Sequence, residues 1–202
     1  VALDFETDGI EARPAFPPTP RGLAVCVEGE APKYYAWGHP TNNNATETEA
    51  KHECAKLLLN ATELVFHNAP FDGSILEEKW NLFVPWDKVQ DTMVMAFIDN
   101  PHGELALKPL AEEKLGLPPE ERDAVKDWLI ARGICRDTKG WGAHICKAPG
   151  DLVGQYALGD VLRTLDLYRY YMAKWEEHPN LKTAYYREMD LMPHILRMDQ
   201  RG

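Results

Sequence analysis

The 202-residue chain has no paired-cysteine motif, no long apolar run and no excess of basic charge, and each absence excludes something. Its cysteines are Cys26, Cys54, Cys135 and Cys146, with no C-x-x-C among them. A compact zinc module or a thiol–disulfide motif is therefore not encoded. Cys135, His144 and Cys146 are close in sequence but lack the tight paired spacing of zinc ligands. Cys26, within "LAVCV", reads as a buried free thiol, and the cysteine usage fits a reducing, intracellular setting. Asn44-Ala45-Thr46 and Asn60-Ala61-Thr62 match the glycosylation pattern, with no other sign of secretion. No apolar stretch reaches the roughly 18 residues of a membrane span, and no signal-peptide pattern opens the chain. The net charge of −10 argues against gripping nucleic acid by charge alone. It leaves room for a domain that holds cations with carboxylates and receives its strand from a basic neighbour. Val1 already reads as the inside of a strand, so the chain is expected to begin, and to end, within a longer protein.

What is present is enough sequence for one sizeable core. "VALDFET" reads as a first strand, residues 11–21 as a proline-rich loop, and "GLAVCVEGE" and "KYYAW" as two further strands, antiparallel neighbours. Thr46 or Thr48 can cap the helix "EAKHECAKLLLN", and "ELVFHN" is a short buried strand. Helical patterns then cover 71–80, 89–98, 107–115, 120–131, 150–175 and 180–200, with Ile145–Pro149 as a loop. The order predicts an α/β or α+β domain with a mixed sheet covered by helices. A composition change near Glu176–Asn180 divides a body at 1–178 from a final helix at 179–202.

Three groups of acids carry possible chemistry. Asp4 and Glu6 lie two apart in a strand, so both point to one face while Phe5 points to the other. They form the chain's single Asp-x-Glu. Such a pair is costly to bury without a cation, although a solvated strand end explains it equally well on charge alone. Asp72 closes "HNAPFD" after the strand at 64–67, where capping or a dipole contact in the first helical turn is the commoner explanation. Asn68 is often just a turn residue. Tyr156 and Asp160 stand four apart on a helix, but so do Tyr186 and Asp190, so the spacing decides nothing. Converging, the first-strand pair, Asp72 and Asp160 would offer the hard oxygen ligands that suit Mg²⁺ or Mn²⁺.

In chain order, "DFET", "HNAPFD" and "YALGD" resemble the three motifs of the DEDD 3′–5′ exonucleases, in the variant with tyrosine in the third motif. The stretch "DTMVMAFIDNPHGELALKPLAEEKLG" is similar to the helical segment between the second and third motifs. The ending "YREMDLMPHILRMDQRG" resembles the helix joining proofreading and polymerase domains in bacterial- and phage-type family A DNA polymerases. The resemblance implies a ribonuclease-H-like α/β fold with a mixed central sheet flanked by helices. It implies two divalent cations, Mg²⁺ or Mn²⁺, held by Asp4, Glu6, Asp72 and Asp160, and Tyr156 orienting the attacking water. Thr7, Ile10, Asn68 and Phe71 would hold the terminal nucleotide, with core packing an equal explanation for Ile10 and Phe71. The implied partners are a single-stranded DNA 3′ end and a polymerase domain in cis, in the cytoplasm of a bacterial or phage-infected cell, with no membrane. The implied activity is proofreading that releases nucleoside 5′-monophosphates. The alternatives are a ribonuclease-D-like exoribonuclease, which shares the tyrosine variant, and a non-catalytic nucleic-acid-binding module. His67 receives no role.

Overall fold

A computed structural model describes residues 1–118, 120–136 and 140–201, the side chains of 120–123 excepted. Five strands form one sheet in the order β3-β2-β1-β4-β5: β1 Ala2–Thr7, β2 Pro20–Cys26, β3 Lys33–Ala36, β4 Leu64–Phe66 and β5 Val89–Asp91. β1, β2 and β3 are antiparallel neighbours, while β4 lies parallel to β1 and β5 parallel to β4. The sheet is therefore mixed, and β1 is its middle strand.

Strand alternation gives the sheet two apolar faces. Leu3 and Phe5 of β1 join Leu23, Phe66 and Trp80 on one side. Ala2 joins Ala24, Val65, Val153, Ala157 and Val161 on the other. Asp4 and Glu6 share Ala2's face, beneath helix α6 (Gly150–Glu176). Helix α6 approaches closely because it carries glycine where a side chain would collide. A Cβ on Gly154 would lie 2.9 Å from the Tyr34 ring, and one on Gly150 would lie 2.6 Å from the Asn42 carbonyl oxygen.

The other helices are α1 Glu47–Asn60, α2 Ala69–Ser74, α3 Thr92–Asp99, α4 Leu107–Leu115, α5 Glu120–Ala131 and α7 Pro179–Arg201. A wider helical turn, Ile75–Lys79, continues α2. Thr46 caps α1 with a full capping box: its hydroxyl accepts from the Glu49 N–H, and Glu49 reaches back to the Thr46 N–H. Val89–Asp91 is a strand rather than the opening of the helix expected there. Three buried residues are too few to show a strand period, and Asp91 ends the strand by capping the Met93 and Val94 N–H groups of α3. Of the loop expected at Ile145–Pro149, Ile145–Lys147 ends a 3₁₀ segment, Trp141–Lys147, and Ala148 and Pro149 are irregular. Helix α7 buries Tyr185, Met189, Met192 and Leu196. The Tyr185 hydroxyl accepts from the Asp91 N–H and donates to Gln90 Oε1, both at 2.9 Å, which pins α7 to β5.

The proline-rich loop after β1 is folded down rather than free. Arg13 makes a two-pronged ion pair with Glu78 and reaches Asp199 of α7. Phe16 lies under the Arg13 guanidinium and 6.2 Å from the ring of Phe71.

Candidate active site

β1 and β4 are in register at Ala2 and Val65, and β4 ends at Phe66. Beyond that point the Phe5 N–H has no strand partner on this side. Asp72, in the first turn of α2, fills the gap: its Oδ1 accepts from the Phe5 N–H at 3.0 Å. The crevice outside the carboxyl ends of parallel strands is where open α/β sheets bind ligands, and here an acid already occupies its wall. Asp72 is 2% exposed.

α6 supplies the opposite wall. One carboxylate oxygen each from Asp4, Glu6 and Asp160 lie within 4.8 Å of one another. Burial raises the Asp4 carboxyl to about 7, with Asp160 adding to the rise. Burial likewise lifts Glu6 and Asp72 well above the carboxylate range, and the charge of Asp4 adds to each. Such a set repels itself when ionised and offers only hard oxygen donors, so it fits Mg²⁺ or Mn²⁺. The Tyr156 phenol is pushed up by burial and then by Asp160. Its ring packs edge-on against Trp141, with centroids 5.8 Å apart.

The structure separates the two tyrosine–aspartate pairs that spacing could not. Asp160 is buried against β1, whereas Tyr186 and Asp190 are exposed on α7. A cavity of about 350 Å³ adjoins the acids, bounded by Glu6, Thr7, Ile10, Phe71, Ala143 and Tyr156. Thr7, Ile10 and Phe71 thus meet at one opening. Asn68 is not part of that lining; it takes a left-handed conformation (φ 76°), and its N–H donates to Asp91 Oδ1. In "HNAPFD" the asparagine thus holds the turn with its backbone, while the ring lines the cavity and the acid bonds to β1. His67 turns away, with Nε2 against the Leu105 carbonyl and Nδ1 against the Thr92 hydroxyl, both at 2.9 Å.

One site residue escapes sequence reasoning. Lys108 of α4 is buried, with its Nζ paired to Asp160 Oδ1 and lying 3.6 Å from the centre of the Tyr156 ring. The available signal was weak: Lys108 precedes Ala111 by three, which puts a charge on the buried side of α4.

The family model described as a 3′–5′ exonuclease, DNA_pol_A_exo1, matches residues 1–176. The chain belongs to this family. No curated protein matches it by sequence. Among solved structures, one described as the apo form of a nuclease aligns with all of this exonuclease and 84% of its own chain, at 17% identity and a TM-score of 0.68. Brucella melitensis NrnC covers all of it and 85% of its own chain, at 17% identity and TM-score 0.64. Escherichia coli RNase D covers 96% of the exonuclease with 44% of its own chain, at 18% identity and TM-score 0.61. These likenesses place the fold among the ribonuclease-H-like DEDD exonucleases. Among the described residues no helix is long and apolar enough to cross a membrane.

Proposed function

We propose that the exonuclease removes nucleoside 5′-monophosphates from single-stranded 3′ ends of RNA, using two divalent cations. The observation that carries this reading is the Asp4–Glu6–Asp160 oxygen cluster opening onto a cavity walled by Tyr156 and Phe71. For the choice of RNA, support comes from the proteins of similar fold: RNase D is described as an exoribonuclease involved in structured RNA processing, and NrnC was solved bound to pGG. DNA proofreading beside a polymerase domain is the second reading, favoured by the family's own designation and by the resemblance of the final helix.

In this scheme Asp4, Glu6, Asp72 and Asp160 hold the cations. When bound, two such ions activate water and stabilise the departing 3′ oxygen. Tyr156 orients the attacking water from the α6 side. Phe71, backed by Phe16, offers a face on which an unpaired base can stack. Thr7 and Ile10 complete the cradle, and Ile10, 66% exposed, is free to close on a base. Neither the acids nor the cavity contributes a basic rail for duplex DNA, which agrees with selection for a frayed or single-stranded end.

The decisive experiment uses matched labelled RNA and DNA single strands with Mg²⁺, with Mn²⁺ and with a chelator. Faster mononucleotide release from RNA is expected. Preference for DNA would move the assignment to proofreading, and undiminished digestion in chelator would remove the metal mechanism altogether. Tyr156→Phe is expected to slow single-turnover hydrolysis by about 10- to 100-fold, at or below the lower end of positioned acid–base effects. Its Mn²⁺ affinity should stay at the wild-type value. A wild-type rate at saturating metal and substrate would leave Tyr156 as a packing residue.

A further inference from the structure

We infer that Lys108 is a positioning residue that serves as the site's resident cation, holding Asp160 and Tyr156 in place before metal arrives and opposing metal entry by its charge. The inference rests on the metal-binding reading above. It starts from a lysine that is 6% exposed, on a helix whose other buried residues are Leu110 and Ala111. Burying an ammonium is costly unless it is paired, and its partners among the described residues, Asp160 and Tyr156, belong to the site. Nζ meets Asp160 Oδ1 and lies over the Tyr156 ring, so one cation touches both α6 residues. Its charge also opposes the rise that burial, and then the neighbouring acids, impose on Asp4 and Glu6. Arg163 lies farther from the same Asp160 oxygen, at 3.9 Å, and donates through another nitrogen to the Pro118 carbonyl.

The approach of Lys108 is braced. His67 holds the Leu105 carbonyl, and Glu104 Oε1 accepts from the Leu105 and Ala106 N–H groups just before α4 begins. This gives "HNAPFD" one more purpose: its histidine fixes the segment that delivers the lysine. The charge count follows. Four carboxylates balance two divalent ions, and Lys108, with Arg163 farther off, then leaves the site positive, which suits the negative charge of a phosphodiester. The same charge repels the incoming ions while the site is empty of substrate.

Two consequences are measurable. Lys108→Met should lower the melting temperature in chelator, because the acids lose their counter-ion. It should also bind Mn²⁺ at least about tenfold more tightly, since the ammonium paired to Asp160 repels a cation drawn to the same carboxylate. Lys108→Arg should bind Mn²⁺ close to wild type. The test is Mn²⁺ titration by calorimetry and paramagnetic resonance on wild type and both variants, with circular dichroism in chelator and in Mn²⁺. Wild type that binds no Mn²⁺ would sink the metal reading itself. Wild type that binds, with Lys108→Met binding equally or more weakly, would overturn only the role of Lys108. So would Lys108→Arg binding as tightly as Lys108→Met, or Lys108→Met remaining unfolded in saturating Mn²⁺. A Lys108→Met protein that folds only when Mn²⁺ is added would support the inference, because the ions would be replacing the missing charge.

Discussion

Asp160→Ala is expected to reduce the single-turnover rate by at least about 10³-fold, and Asp190→Ala to leave it within about twofold. The two acids stand in the same relation to a tyrosine four residues earlier, so the comparison isolates position from motif. Asp160 shares an oxygen cluster with Asp4 and Glu6, and it holds Lys108. Asp190 is exposed on the outer side of α7, where substitutions commonly change stability by no more than about 0.5 kcal/mol. Both variants should be checked for an unchanged circular dichroism spectrum before rates are compared. Equal losses in two folded proteins would show that the buried pair is not the one that alone carries the chemistry.

The second large effect concerns stability. The Asp4 carboxyl is raised from 3.8 to about 7, and burial, with the charge of Asp4 adding, holds Glu6 and Asp72 well above the ordinary carboxylate range. A raised acid binds its proton in the native state where the unfolded chain has already released it. Its stabilisation is therefore present at low pH and lost as pH rises through the native value, here from about 4 towards 7 and above. For Asp4 alone that is on the order of a few kcal/mol. Divalent ions bind the ionised acids, so they restore stability only where the protons have left. Buried His39 and His67 act in the opposite sense, because burial lowers their pKa and favours the neutral native form as pH rises. Their contribution is common to both conditions and drops out of the difference. The expected result is a gap in melting temperature between Mg²⁺ and chelator that is small at pH 5.5 and several degrees wider at pH 8, a few kcal/mol being worth about 2–4 °C each in a domain of this size. A gap of equal size at both pH values would mean that these carboxylates do not take up metal.

The sequence made some of this legible for identifiable reasons. Strand period put Asp4 and Glu6 on one face, and that placement needs no partner to be known. α1, α4, α5, α6 and α7 announced themselves through long apolar periods, α1 also through its cap at Thr46. β5 did not, because three residues carry no period. The tyrosine–aspartate pair was ambiguous until burial separated Asp160 from Asp190. Lys108 was hidden because its partners lie on α6, fifty-two residues along the chain from it at Asp160, and a lysine on a helix usually lies in solvent. The proline-rich loop offered no pattern, yet the Arg13 clamp and the Phe16–Phe71 contact give it a definite seat behind the cavity. Asn68, expected both as a turn residue and as a nucleotide contact, takes the left-handed turn conformation.

Two of the glycines of α6, Gly150 and Gly154, set the scale on which this site is calibrated. Gly150 and Gly154 lie toward the β3 side, where an added Cβ would meet Ala36 and Asn42 at the first and Tyr34 at the second. Tyr34 cannot simply step aside, because its hydroxyl is bonded to His39, whose other ring nitrogen meets the Ala148 carbonyl. A single methyl at Gly154 would therefore lift the whole helix like a shim under a beam. Asp160, one and a half turns further on, would rise with it, and the distance that lets three carboxylate oxygens share an ion would widen. The spacing of charges at Asp160 is thus maintained by hydrogen atoms nearer the start of α6, so variation that leaves every acid in place could still disable the domain.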